Sequence, residues 1–262
     1  YNAFEDYDEA VYMFRIYSRV LSGRSGFAEA YALTGPPNGS KSWLTLPLLR
    51  LLGQGALHLA QPLPCTYFTN PPRGDSEGSR AVTAQLAGCK MCMPKETPPR
   101  PIVPESIKGI LDPRDVDVAA RHNHSGSKDN STFGVTWTIV LASQGSITMK
   151  EGESDCGLMD KIVELRPPFQ FLPPDSYDGS NPRHRQADHE LSTRTDAGLL
   201  SGELFFIARC FYETIGEAVC KGRNMRPRPP SCVSFQEEEG VHEHTTKVLK
   251  WMEGNLKYCT DE

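Results

Sequence analysis

The chain has 262 residues, 38% of them hydrophobic and 23% charged, which supports one large domain, or a domain with an appendage, and excludes a disordered tail. Its 28 Lys and Arg against 33 Asp and Glu leave a net charge of −5, which excludes a uniformly basic nucleic-acid coat and leaves only a local basic loop for phosphate contact. Proline is the outlier, 21 residues against a usual ~5%, and its tracts predict long loops.

No apolar run reaches the roughly 18 residues that a membrane span needs, and no signal peptide opens the chain. The first residue is Tyr1, so the expectation is a segment of a longer protein. Eight cysteines fall far short of a disulfide scaffold. Cys89, Cys92 and Cys210 lie in apolar runs and read as small buried hydrophobes. Cys89 and Cys92 form a CxxC, but no second one completes a zinc site. A reduced intracellular protein is expected, with no membrane partner.

In chain order, residues 4–21 put acids first and then apolar residues at near-helical spacing, which predicts a helix. Ala28–Leu33 reads as a short buried strand leading into the turn Gly35–Ser42, and Trp43–Leu52 as a helix with Pro47 in its first turns. Cys65–Thr69 is expected as a second strand, Ala81–Leu86 as a helix and Cys89–Met93 as a third strand ending toward Glu96. Pro98–Pro104 reads as a bend, Ser106–Leu111 as a short helix and His122–Thr132 as a polar loop. Val135–Ala142, β-branched and apolar throughout, is the clearest strand, and Lys161–Leu165 is a further one closed by Pro167 and Pro168. Residues 173–187 read as loop; Leu199–Val219 and Val241–Leu256 read as helices, separated by the basic, proline-rich Arg223–Pro230. Glu237–Glu239 reads as a solvated acidic run at a helix start.

Strands alternating with helices predict an α/β fold, a three-layer core with a parallel sheet. Residues 1–24 form a helical lead-in, 25–172 the core, and 173–262 a helical region with proline-rich linkers.

The sharpest chemical signal is Gly35-Pro36-Pro37-Asn38-Gly39-Ser40-Lys41-Ser42 between a strand and a helix. In a Walker A loop, G-x-x-x-x-G-K-[ST], backbone N–H groups cradle phosphates, the lysine reaches the β- and γ-phosphates, and the hydroxyl holds Mg²⁺. Gly35, Lys41 and Ser42 fit that spacing, whereas Ser40 stands where the second glycine belongs and Gly39 sits one place early. Where that position needs a positive φ, serine costs on the order of 1 kcal/mol.

Further features follow in order: Lys90–Glu96, a strand ending in an acid; Lys108, Asp115, Asp117 and Arg121; Val135–Ala142 followed by Ser143 and Gln144; and Lys161–Arg166 running into Pro167-Pro168-Phe169. Together with the loop they resemble the superfamily 3 helicases of AAA+ type, and most closely the helicase domain of poxvirus-type and phage-type primase-helicases. The likeness spans about residues 10–215 and lies in motif order and spacing more than in identity.

The resemblance implies an AAA+ P-loop ATPase with ATP and Mg²⁺ as cofactors. Gly35, Pro36, Pro37, Asn38, Gly39, Ser40, Lys41, Ser42 and Trp43 would bind nucleotide. Ser42 and Glu96 would hold the metal, and Glu96 would orient or deprotonate the attacking water. Gln144 would be the γ-phosphate sensor, one methylene longer than the family's Asn. Lys161 stands where the family places a finger Arg acting on a neighbouring subunit, and it lacks the bidentate fork. Arg121 would face nucleotide or that neighbour.

His122, His124 and Lys128 occupy the family's DNA-contacting hairpin loop, a polar stretch suited to phosphate contact rather than to base stacking. The implied partners are single-stranded or forked DNA, further copies of the chain in a hexameric ring, and a primase-like region of the same polypeptide. The implied source is a viral or mobile-element replication protein.

Ser40, Gln144 and Lys161 all depart from the family at ATPase positions. They leave open a weakened nucleotide-binding scaffold of the same fold. A P-loop kinase or GTPase is a third reading, and sheet order separates it: the AAA+ order inserts a strand between the Walker A and Walker B strands.

Overall fold

Ala30–Thr34 (β1) is the axis of the computed structural model, which describes residues 3–22, 29–53, 59–69, 84–94, 101–111, 118–121, 130–150, 158, 161–191, 193, 209, 210 and 213. All five β1 residues are buried, because β1 has parallel neighbours on both sides. Thr138–Ser143 (β6) pairs from Ala30↔Ile139 to Thr34↔Ser143. Ile162–Leu165 (β7) pairs from Ala30↔Ile162 to Leu33↔Leu165. Met91–Cys92 (β3) lies beyond β6, and Ala60–Gln61 (β2) beyond β3. The result is a five-stranded parallel sheet of order β2-β3-β6-β1-β7. One strand, β6, thus stands between the strand that opens the Walker A turn and the strand that leads toward Glu96, an insertion that the kinase and GTPase reading lacks.

Parallel strands joined by crossovers need cover on both faces, and the alternation of side chains supplies it. Tyr31 and Leu33 of β1, Val140 of β6 and Val163 of β7 face a cluster with Tyr12, Met13, Ile16 and Tyr17 of the helix Tyr7–Ser22 (α1) and Leu48 of the helix Lys41–Leu51 (α2). Ala30, Ala32, Ile139 and Leu141 face the opposite cluster, with Phe68 of the short helix Thr66–Thr69 (α3) and Ile107 and Ile110 of the helix Pro104–Leu111 (α4). Each such large apolar side chain contributes roughly 1.5–3 kcal/mol on burial. The fold is therefore α/β with helices on both faces of a parallel sheet, as expected of a P-loop NTPase.

At the N-terminal edge of the sheet lies a buried polar cluster. Arg19 of α1 and Glu29 form an ion pair at 3.3 Å with both side chains almost fully buried, and the Tyr31 hydroxyl donates to Glu29 at 3.2 Å while accepting from Arg19. Burial holds the Tyr31 phenol well above its ordinary pKa. Lys90 Nζ donates to the Leu21 carbonyl at 3.0 Å, a cation on the last turn of α1.

Several elements differ from their sequence reading. Cys65–Thr69 forms a helical turn, not a strand, and the second strand falls at Ala60–Gln61 instead. A short apolar run does not distinguish the two by pattern. Here Tyr67 and Phe68 are both buried, edge to face at 5.5 Å. The Phe68 carbonyl accepts from Val103 N at 2.8 Å and Ser106 Oγ at 3.2 Å, at the start of α4.

The polar loop expected at His122–Thr132 is shorter, since Asn130–Phe133 (β5) pairs antiparallel with Val118–Arg121 (β4). Residues 173–187 are not all loop: Gln170–Leu172 (β8) pairs in parallel with His184–Gln186 (β9), with a 3₁₀ turn at Pro174–Ser176. Helix α2 starts at Lys41, so Pro47 sits deeper than the first turn and has no N–H to give the Trp43 carbonyl.

Of the helix expected at Leu199–Val219, Arg209, Cys210 and Glu213 are described and helical, with Arg209 Nε 2.8 Å from Glu213 Oε1 one turn on. Arg15 of α1 lies close enough to Cys210 to lower its thiol pKa against the larger effect of burial. Residues 81–83 of the expected Ala81–Leu86 helix, Arg223–Pro230, Glu237–Glu239 and Val241–Leu256 lie outside the described residues. No helix among the described residues is long and apolar enough to cross a membrane.

Candidate functional site

The turn from β1 to α2 is built on two close backbone approaches. A Cβ on Gly35 would lie 2.7 Å from the Pro167 carbonyl oxygen, and one on Gly39 would lie 2.8 Å from that of Pro36. Both positions therefore require glycine. Asn38 and Ser40 take left-handed conformations, φ 56° and 60°. Asparagine tolerates that region; serine at the position where the Walker A pattern has glycine carries a cost of about 1 kcal/mol.

Left-handed Ser40 also changes how α2 begins. Serine is a strong N-cap in extended geometry, but here its side chain makes no cap hydrogen bond, while its carbonyl accepts from Leu44 N at 2.9 Å. No acid occupies the first turn of α2 either. The leading N–H groups of α2 and its positive dipole end are thus uncapped by this residue and directed at the loop, an arrangement that attracts phosphate.

Lys41, the first residue of α2, folds back over the same loop. Its Nζ donates to the carbonyls of Gly35 at 2.9 Å and Pro36 at 2.6 Å. Partial burial lowers its pKa below the ordinary lysine value. A polyphosphate would offset that desolvation with opposite charge. Ser42 and Trp43 are exposed on the first turn. Thr45 Oγ1 donates to the Ser42 carbonyl at 2.9 Å.

Neighbouring strand ends converge on the loop. Ser143 closes β6 opposite Thr34, the last residue of β1, so Gln144, which is exposed, emerges beside the loop's start. The turn after it is held by Gly145 N donating to Ser143 Oγ at 3.4 Å, Arg166 Nη2 to Ser146 Oγ at 2.6 Å, and Ile147 N to Glu164 Oε1 at 3.2 Å. From the other side, Phe171 N at the start of β8 donates to the Asn38 carbonyl at 3.0 Å. The Arg185 guanidinium of β9 stacks 3.9 Å over the Phe169 ring, a contact worth about 0.5–2 kcal/mol.

No protein-family model matches the chain, and no curated protein does. Solved structures do resemble it. One of them is a helicase of JC virus crystallised with a thiazolopyridinyl-phenoxy-phenyl acetamide, 14% identical, with a TM-score of 0.41 over 79% of this chain and 48% of that one. The chain thus spans about half the length of that protein.

The remaining expected residues divide by place. Lys161 stands just before β7, its carbonyl accepting from Ala30 N at 2.9 Å, level with the start of β1. Lys41 stands past the end of β1, so roughly 15 Å of strand separates the two lysines. Within one chain they do not meet. Arg121 is the last residue of β4, paired with Asn130. Glu96, His122, His124 and Lys128 lie outside the described residues.

For Mg²⁺, the exposed Ser42 hydroxyl suits a single ligand position beside the loop. Among the described residues no group of three or more His, Cys, Asp or Glu is placed to hold a metal ion. Cys89 and Cys92 are buried in the core on the α3 and α4 side. Burial pushes the Cys89 thiol up to about 11 and that of Cys92 higher, which suits packing and not redox or metal chemistry.

Sequence reasoning did not point to Thr34, Glu164, Phe171 or Arg185. Phe171 acts through its main-chain N–H, which leaves no mark in residue type, and Glu164 accepts with its carboxylate from a main-chain N–H distant in sequence. The Pro167-Pro168-Phe169 stop after β7 was the available signal, since it delivers the chain to the loop.

Proposed function

We propose that this chain is the ATP-dependent helicase domain of a viral or mobile-element replication protein of primase-helicase type. The observation that carries the reading is the Walker A turn itself. It has two glycines at close backbone approaches and a left-handed residue before an uncapped helix, and Lys41 is already over the loop. A sheet order with β6 beside β1 supports it. So does the succession of motifs resembling superfamily 3 helicases.

In this reading the α2 N–H groups bind the phosphates and Lys41 neutralises the β- and γ-oxygens. Ser42 would hold Mg²⁺, alone or with water held by Glu96, and the ion would supply charge neutralisation. Glu96 orients or deprotonates the attacking water, and Gln144 hydrogen-bonds the γ-phosphate or that water. Lys161 reaches a nucleotide bound by a neighbouring subunit, since its own Lys41 stands at the opposite edge of the sheet. A ring, hexameric by resemblance, follows from that requirement. His122, His124 and Lys128, on the connection between β4 and β5, contact the phosphates of single-stranded or forked DNA, with Arg121 at their base.

One observation favours the weakened scaffold as a second reading: Ser40 holds a left-handed conformation that glycine would adopt without strain. ATP turnover by the purified chain, with and without single-stranded DNA and at rising protein concentration, separates the two. Turnover stimulated by DNA, rising faster than linearly with protein and absent in Lys41→Ala, is the expected result. ATP binding without turnover under all those conditions overturns the motor and leaves the scaffold.

A further inference from the structure

Among the described residues, one buried side-chain hydroxyl at the start of the loop is left over. Thr34 is fully buried, and its Oγ1 has no hydrogen-bond partner among the described residues. It is the last residue of β1, immediately before Gly35, and Ser143 lies opposite it in register. Period-two alternation puts its side chain on the face shared by Ala30 and Ala32, the face of Ile139 and Leu141 in β6. That is also the face of Ser143, whose Oγ accepts from Gly145 N. Thr34 therefore stands at the point where the phosphate loop and the Gln144 turn leave adjacent strands.

A hydroxyl buried without a partner is destabilising, and valine has the same shape without that cost. A group that the folded state leaves unsatisfied is explained when another state of the same site satisfies it. The two segments flanking Thr34 are those that phosphate binding engages, one through α2 and one through Gln144.

We propose that Thr34 is a positioning residue: when nucleotide is bound, its hydroxyl takes a hydrogen bond with the 144–146 turn and so sets Gln144 against the γ-phosphate. This rests on the ATPase reading above and adds a residue to it. In the structure the turn is held by Ser143 Oγ, Arg166 and Glu164. Phosphate occupancy then exchanges part of that set for the Thr34 contact.

The test compares Thr34→Val and Thr34→Ser with the wild type, using thermal unfolding with and without ATP and Mg²⁺ and steady-state ATP turnover. Thr34→Val should unfold roughly 2–4 °C higher without nucleotide, since it removes an unsatisfied hydroxyl. Its nucleotide-induced rise should be smaller than that of the wild type. Its kcat should fall by about tenfold with KM nearly unchanged, the mark of a contact absent from the ground state. Thr34→Ser, which keeps the hydroxyl, should recover most of that kcat. A Thr34→Val protein with wild-type kcat and wild-type nucleotide-induced stabilisation overturns the proposal. So does one less stable than wild type without nucleotide, because its hydroxyl was then already bonded. A wild-type protein that neither binds nor hydrolyses ATP overturns the ATPase reading, and this proposal with it.

Discussion

The two ends of the same parallel strands are built on opposite terms. At the N-terminal edge, Arg19, Glu29 and Tyr31 close a buried polar cluster in which the ions are paired, and Lys90 caps the end of α1. At the C-terminal edge, α2 begins without a side-chain cap, Ser40 and Asn38 hold left-handed conformations, Lys41 is partly desolvated, and Thr34 Oγ1 is left over. One edge holds its charges as a buried pair, and the other leaves helix N–H groups and a lysine directed at the loop. Left-handed backbone and an uncapped helix start suit the proposed phosphate site, because a ligand gains most from groups that the folded protein has not already satisfied.

The contrast can be broken hardest at the N-terminal edge. Arg19→Met takes the cation from beside the buried Glu29 and should lower stability by about 3–5 kcal/mol in urea unfolding. Changing Glu29→Gln in the same chain should restore much of that loss. If the single variant cost no more than a surface substitution, the Arg19–Glu29 pair would not be a buried one.

At the other edge, Gly35→Ala forces a Cβ against the Pro167 carbonyl oxygen, 2.7 Å away in the present backbone. It should cost roughly 1–3 kcal/mol and weaken ATP binding as the loop shifts. Ser40→Gly moves in the opposite direction. Relief of the left-handed strain, partly offset by a freer unfolded chain, should raise stability by about 0.5–1 kcal/mol, read as a higher urea midpoint at unchanged slope.

The smallest effect is electrostatic. Burial lowers the Lys41 pKa, so the folded protein holds this proton less tightly than the unfolded chain. Stability should therefore rise with pH across the window between the lowered value and the ordinary one of about 10.4. Lys41→Met should flatten that rise while leaving stability at pH 7 nearly unchanged or improved. A slope identical in the two proteins would place the desolvation elsewhere.

Much of this was legible in the residues and some was not. β1, α2, β6 and β7 announce themselves by apolar runs closed with glycine or proline, and the Gly35–Ser42 turn by its residue types. Even the left-handed geometry at Ser40 follows from the position it takes in the Walker A pattern. Cys65–Thr69 misleads because Thr, Tyr and Phe favour strands, while the tertiary demand on the Phe68 carbonyl from Val103 and Ser106 fixes a helical turn there. β8 and β9 are invisible because three residues each, among prolines and polar groups, carry no period to detect. The brace from Phe171 to Asn38 is a main-chain contact between segments distant in sequence.

The strand order has a consequence for the making of the protein. β1 and the Gly35–Ser42 turn leave the ribosome before their sheet partners: the strands on either side of β1 are β6 and β7, which emerge roughly a hundred residues later. Until then Tyr31 and Leu33 have no sheet to join, and the loop lacks Pro167 and Phe171 to close on. A nascent chain stalled before Thr138 would carry the complete Gly35–Ser42 motif without the strands that flank it, and release past Phe171 would supply the Pro167 and Phe171 contacts together.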